Sequence, residues 1–221
     1  MLFRVQSAAV FGINAYPISV EVDLSSGSKL NLMTVGLPDT AVRESSERVK
    51  AALRNCGYDL PPQHITINLA PADVKKEGSA FDLPMAIGIL GATGCVKARD
   101  LAGFLFMGEL SLDGSVRPVK GTLSMAIMAR NNGLDHLIVP EANAREAAVV
   151  DGVRAFPVRS LGQVVELLNG RQPWIPLAVD RRQMLEQRST YTVDFKDVKG
   201  QYQAKRALEV ATAGGHNIIM L

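Results

Sequence analysis

The chain has 221 residues, of which 47% are hydrophobic and only 5% aromatic. That apolar content over that length excludes wholesale disorder and leaves Ala, Val, Leu and Ile to build the core. With 24 basic and 22 acidic side chains the net charge is +2, so bulk charge names no polyanionic partner and any nucleic-acid role must rest on a local patch. No run of 18 apolar residues marks a membrane span. The opening, Met1 to Gln6, lacks the long apolar stretch of a signal peptide. Cys56 and Cys95 lie far apart without metal-ligand spacing and read as reduced thiols of a cytoplasmic protein.

Phe3 to Phe11 and Ile18 to Leu24 are predicted strands. In the second, Val20, Val22 and Leu24 alternate with Glu21 and Asp23, so one face is buried and the other wet. A turn at Ser25 to Ser28 leads to a third strand, Leu30 to Leu37, and the three are expected to form an antiparallel meander. Pro38-Asp39-Thr40 opens a helix with Asp39 or Thr40 as its N-cap. Val42, Val49, Leu53 and Cys56 mark its buried side. Arg43, Glu44, Glu47, Arg48, Lys50 and Arg54 are placed on its solvent side, and Gly57 ends it. Ile65 to Leu69 is a short strand, and a loop follows from Ala70 to Ala80.

Asp82 is expected to cap a nearly uncharged helix from Leu83 to Ala92, buried on most sides. Phe104 to Leu112 and Ser115 to Pro118 flank Asp113-Gly114, a hairpin signal. Thr122 to Asn132 is a helix stopped by Gly133. A strand–helix rhythm follows: His136 to Val139, Ala142 to Val150, Val153 to Val158, Leu161 to Leu168. This alternation predicts an α/β fold with helices packed on a mixed sheet. Arg171 to Thr192 has two prolines, four arginines and no apolar periodicity, and reads as a linker. The predicted organisation is a front domain at 1–170, a linker at 171–193 and a second domain opening at 194–221. Its elements are a helix from Gln201 to Ala213, a Gly214-Gly215 turn and the apolar run Ile218 to Leu221, read as a buried strand that continues into further sequence.

His64, His136 and His216 do not cluster, and neither HExxH nor CxxC spacing occurs, so no metal is expected. His64 and His136 are assigned to the surface or to turns, and His216 to the Gly-Gly-His-Asn turn.

Several motifs carry a resemblance. Asp194-Phe-Lys-Asp-Val-Lys-Gly-Gln-Tyr-Gln-Ala-Lys-Arg-Ala-Leu-Glu, then Ala213-Gly-Gly-His-Asn-Ile-Ile-Met-Leu221, resembles the opening of the ATPase module in the ComM/YifB family of magnesium-chelatase-like AAA+ proteins. Gly36-Leu-Pro-Asp39, Asn68-Leu-Ala-Pro-Ala-Asp73, Lys76-Glu-Gly-Ser79, Phe81-Asp-Leu-Pro84, Gly108-Glu-Leu110 and Pro118-Val-Lys-Gly121 resemble the same family, so that the likeness spans nearly the whole chain. Lys75 stands where some family patterns carry Pro. The resemblance implies a front domain of the Lon-protease type, related to the second domain of ribosomal protein S5. It implies ATP and Mg²⁺ in the intact protein, with Asp197, Val198 and Lys199 beside the adenine. The phosphate loop would follow Leu221, so this stretch alone is expected not to turn over ATP.

A Lon-type peptidase needs a Ser nucleophile and a desolvated Lys base. Aligned on the family motifs, those slots fall on Ala80 and Leu123; Ser79 and Lys120 are only neighbours. The front domain is therefore expected to be proteolytically inactive. The resemblance further implies a hexameric ring acting as a branch-migration motor on branched or single-stranded DNA in transformation. Lys75, Lys76, Arg43, Arg48, Lys50 and Arg54 are the candidate phosphate contacts. Two alternatives stay open: an ATP-dependent remodeller of a protein partner, and a module whose role is oligomerisation alone.

Overall fold

The computed structural model describes residues 2–60, 62–98, 100–180 and 194–220. It is a mixed α/β structure that divides into two compact units, 1–179 and 180–221.

The first unit opens with a hairpin. β1 (Leu2–Phe11) pairs antiparallel with β2 (Asn14–Ser26), from Leu2 opposite Asp23 to Phe11 opposite Asn14. The expected meander ends there. β3 (Asn31–Val35) lies on the far side of β4 (Gln63–Ala70), giving the order β1-β2-β4-β3. β4 is antiparallel to β2 and parallel to β3. The cause is α1 (Thr40–Asn55), which carries the chain from β3 back to the starting end of the sheet; such a crossover returns the next strand parallel. Asp39 caps α1, its side chain accepting the Val42 N–H at 2.8 Å.

Every residue of α2 (Asp82–Ala92) is buried. Two glycines let it lie close on the sheet. A Cβ at Gly91 would sit 2.3 Å from the Phe3 ring, and one at Gly88 would sit 2.6 Å from Val22. The main core fills the space between this sheet, α1, α2 and α5 (Leu161–Leu168).

The predicted strand Phe104 to Leu112 is divided. β5 (Phe104–Phe106) joins a parallel sheet of order β5-β8-β9, with β8 at His136–Pro140 and β9 at Arg154–Val158. β6 (Glu109–Leu110) pairs instead with β7 (Val116–Arg117) around the Asp113-Gly114 turn. The division falls at Gly108, whose N–H donates to the Ala80 carbonyl and whose own carbonyl accepts the Leu83 N–H. Those bonds to the start of α2 replace continued strand pairing. α3 (Thr122–Asn131) and α4 (Glu141–Ala148) pack with β5 and β8 around a second core of Leu105, Met107, Met125, Leu137 and Val139.

The segment expected to be a linker from Arg171 is docked over its first part. Trp174 lies 5.2 Å from the Phe104 ring and 5.1 Å from the Phe156 ring, and the Leu177 N–H donates to the Ala155 carbonyl at 2.8 Å. His136 belongs to the same cluster rather than to an open turn. Its ring stacks on Phe104 and Phe156, and its Nδ1 lies 2.7 Å from the Asp135 carboxylate. His64 is exposed, but within β4. Residues 181–193, the remainder of the predicted linker, lie outside the described residues.

In the second unit a 3-10 turn (Phe195–Asp197) carries a reciprocal cap between Asp194 and Asp197. α6 (Tyr202–Gly214) ends at Gly215 in the left-handed conformation. The His216 imidazole folds over Gly214, where a Cβ would meet it at 2.4 Å, and the His216 N–H donates to the Ala211 carbonyl. The strand expected at Ile218 has no strand partner among the described residues. Nor, among them, is any helix long and apolar enough to cross a membrane.

Candidate functional site

The motif-bearing loops of the first unit meet at the start of α2. Lys76 is fully buried there. Its Nζ donates to the Pro71 carbonyl, its N–H donates to the Leu37 carbonyl, and its own carbonyl accepts the Asp39 N–H at 3.1 Å. Burial pushes the Lys76 ammonium below the usual lysine range, with Asp73 pulling weakly the other way. Lys76 is thus withdrawn from the set of surface phosphate contacts predicted for it. It closes the loop from within, because an ammonium removed from water must find an acceptor.

Asp39 ties the same loop to α1. One carboxylate oxygen caps the helix, and the other accepts the Gly78 N–H at 3.3 Å. Lys75 is exposed and paired with Glu77, which raises its pKa by hydrogen bonding and by charge.

Asp82 does not cap α2 with its side chain. It is the first residue of the helix, and its carboxylate turns inward. It accepts the Leu110 N–H at 3.1 Å and two bonds from Arg48, at 2.8 Å from Nε and 3.1 Å from the terminal amine. Burial pushes the Asp82 carboxyl up, while the Arg48 guanidinium and the Leu110 N–H pull against it; Asp82 in turn raises Arg48. Arg48 also donates to Ser45 at 2.9 Å. Predicted on the solvent side of α1, it is instead folded onto a buried acid, since an isolated buried carboxylate is too costly to leave unpaired. The signal was in the sequence: one charged residue at the head of an otherwise apolar helix demands a counterion.

Ala80 and Leu123, the positions onto which the family motifs would set a Ser–Lys dyad, can serve neither as nucleophile nor as base. Ala80 is buried in the second core, and its carbonyl is held by Gly108. The Leu123 side chain is exposed, and its N–H donates to the Glu146 carboxylate at 2.9 Å. Asn143 brackets the same loop, its side chain bonding both the N–H and the carbonyl of Val119. The Ser79 hydroxyl donates to the Glu109 carboxylate, which leaves it no lysine base among its described partners. Lys120 is exposed. Glu109 stood in a family motif, Gly108-Glu-Leu110, without a role read for it, and Asn143 and Glu146 carried no sequence signal, because each partner is brought by the fold from a separate element.

Of the remaining basic candidates, Lys50 pairs with Glu47 at 2.8 Å. Arg43 and Arg54 are exposed, without an ion pair among the described residues. Lys50 and Arg54 line a cleft of about 310 Å³ with Glu47, Tyr58 and Asp59, so the local charge there is mixed.

In the second unit Asp197, Val198 and Lys199 form an exposed turn ahead of α6, and the Lys205 ammonium donates to the Val198 carbonyl at 2.5 Å. An open apolar cleft of about 690 Å³ lies between α6 and the segment after it, lined by Tyr202, Arg206, Val210 and Ile218 among others. Among the described residues no group of three His, Cys, Asp or Glu side chains could hold a metal.

Comparison with known proteins gives this geometry its context. Residues 20–143 match the family described as subunit ChlI of Mg-chelatase, and residues 194–221 match magnesium chelatase, subunit ChlI. The chain is 41% identical over 219 residues to Competence protein ComM of Haemophilus influenzae, covering 98% of this chain and 42% of that protein. It is 41% identical over 218 residues to the uncharacterized protein YifB of Salmonella typhimurium, again covering 98% of this chain and 42% of the relative. A more distant likeness, 28% over 162 residues, links 67% of the chain to 20% of Lon protease 1 of Bacillus subtilis. The chain thus spans less than half the length of the ComM and YifB relatives. By these matches, over both units, the chain belongs to the ComM/YifB family of Mg-chelatase ChlI-like proteins.

Proposed function

We propose that residues 1–179 form a proteolytically inactive domain of the Lon-protease type, related to the second domain of ribosomal protein S5, and that this domain serves an ATP-dependent DNA motor. In this reading residues 194–221 open an AAA+ module that assembles as a hexameric ring in the cytoplasm and drives branch migration. The reading rests chiefly on identity to a competence protein over nearly the whole chain. The distant likeness to Lon protease supports the fold, and the filling of both dyad slots, by Ala80 and Leu123, supports the loss of peptidase chemistry.

ATP and Mg²⁺ would act in the intact protein, supplying the phosphoryl-transfer chemistry that drives the motor. The Asp197–Lys199 turn and the apolar surface of Tyr202 beside it suit an adenine ring, whose two faces favour apolar and aromatic neighbours. No described residue is assigned to the phosphates.

DNA would meet the front unit through Arg43 and Arg54, and through Lys75, whose exposed pair with Glu77 a phosphate can displace; Lys50, less exposed, is held in its pair with Glu47. Fluorescence anisotropy of this chain on branched and single-stranded DNA tests the reading. Binding is expected to fall with salt and to weaken at least tenfold in Arg43→Glu/Arg54→Glu/Lys75→Glu, with a salt slope shallower by about three counterions. Equal affinity in the variant would remove the front unit from the DNA path. Both matched families are chelatase subunits, so that outcome would favour ATP-driven remodelling of a protein partner.

A further inference from the structure

The nine residues 171–179 belong to the first unit, and six of them are exposed. Trp174 and Leu177 turn inward, while Ile175 between them is 71% exposed. Pro173 and Pro176 have no N–H to give to the neighbouring edge of β9. Among the described residues one backbone bond ties the segment to that edge, from Leu177 to Ala155. The segment begins with an exposed ion pair, Arg171 to Glu166 at 2.9 Å. Beneath Trp174 lies a continuous stack of Phe104, His136 and Phe156, itself anchored by Asp135, which also accepts from Arg154 at 2.6 Å. The receiving surface is therefore tied to the sheet by stacking and ion pairs of its own, and the segment laid on it is held at two side chains.

We propose that residues 171–179 are a releasable strap that sets how much chain separates the two units. Docked, the strap keeps the connection short and covers the Phe104–His136–Phe156 stack. Released, it frees nine residues at up to ~3.3 Å each, about 30 Å of added reach. It also uncovers an aromatic groove beside the open edge of β9. A segment held by two half-buried side chains, Trp174 and Leu177, and one hydrogen bond to β9 should detach without unfolding the sheet it leaves, because local opening follows the number of ties rather than total stability.

Trp174 is the chain's single tryptophan, so its emission reports this event without a label. In urea titrations of the full chain, the emission is expected to shift red at a lower midpoint than the loss of far-UV ellipticity. Leu177→Pro removes both the N–H and the leucine side chain that packs on the second core, but leaves the Trp174 ring in place. It should move the fluorescence transition to lower urea while the ellipticity midpoint stays, and should speed tryptic cleavage after Arg171 at least tenfold. Coincident transitions in the unmodified chain, or a Leu177→Pro variant that lowers both midpoints together, would overturn the strap and make the segment part of the core.

Discussion

Among the described residues, Lys76 and Asp82 are the charged side chains that the first unit removes wholly from solvent, and the fold treats them differently. Asp82 meets a counterion. Lys76 meets a carbonyl, and its charged form is disfavoured by burial. For a lysine whose folded pKa lies below its unfolded value, the unfolded chain holds more protons between the two, so stability rises with pH across that window. Below the lowered pKa the penalty is constant; above the ordinary value of 10.5 it is gone. As pH rises toward 10.5 the unmodified chain should gain urea resistance relative to Lys76→Met, which keeps the length of the side chain without its proton. Parallel pH profiles for the two proteins would show that Lys76 is not desolvated. The same burial makes Lys76→Glu unfit as a probe of DNA contact, because it would place an acid against a carbonyl inside the loop.

At the scale of elements, Asp82 and Arg48 fasten α2 to α1, and the Leu110 N–H adds β6 to the same carboxylate. Arg48→Met leaves the carboxylate buried without its cation and is expected to cost about 3–5 kcal/mol in urea unfolding. Adding Asp82→Asn removes the orphaned charge and should restore part of that loss. A double variant no better than the single one would mean that Arg48 acts through packing of its stem.

Much of this level was legible in the sequence. The Asp39 cap, the bounds of α5, the burial of α2 and the Asp113-Gly114 turn follow from local chemistry, and local chemistry is what a sequence displays. The partner of β4 was not legible, because β-branched alternation marks a strand's faces but not its neighbours. Nor was the docking of Trp174, since a proline-flanked aromatic in a polar stretch looks the same whether it meets solvent or the Phe104–Phe156 surface. The candidate site was legible in its motifs and misread in its exposures: Lys76 and Arg48 look like surface cations until the buried partners are known.

Across the whole molecule the two units differ in how they exclude water. The first is built on two cores, whereas in the second Ala211 is the one buried residue among those described. Hydrogen exchange should therefore separate them. Amides of α2 are expected to exchange only on global unfolding, and those of α6 orders of magnitude faster. Equal protection of the two helices would show that α6 is covered in solution by self-association. The sheet order also fixes a sequence of assembly. β1 and β2 are neighbours in chain and in space, so their hairpin can close in microseconds. β4 must slot between β2 and β3, and its parallel pairing waits on the whole of α1. Loop closure precedes its reward there, which makes that insertion the slow event in folding. Until it happens, the edge of β2 that pairs with Ile65, Ile67 and Leu69 stands open, and a nascent chain is expected to be most prone to aggregate in that interval.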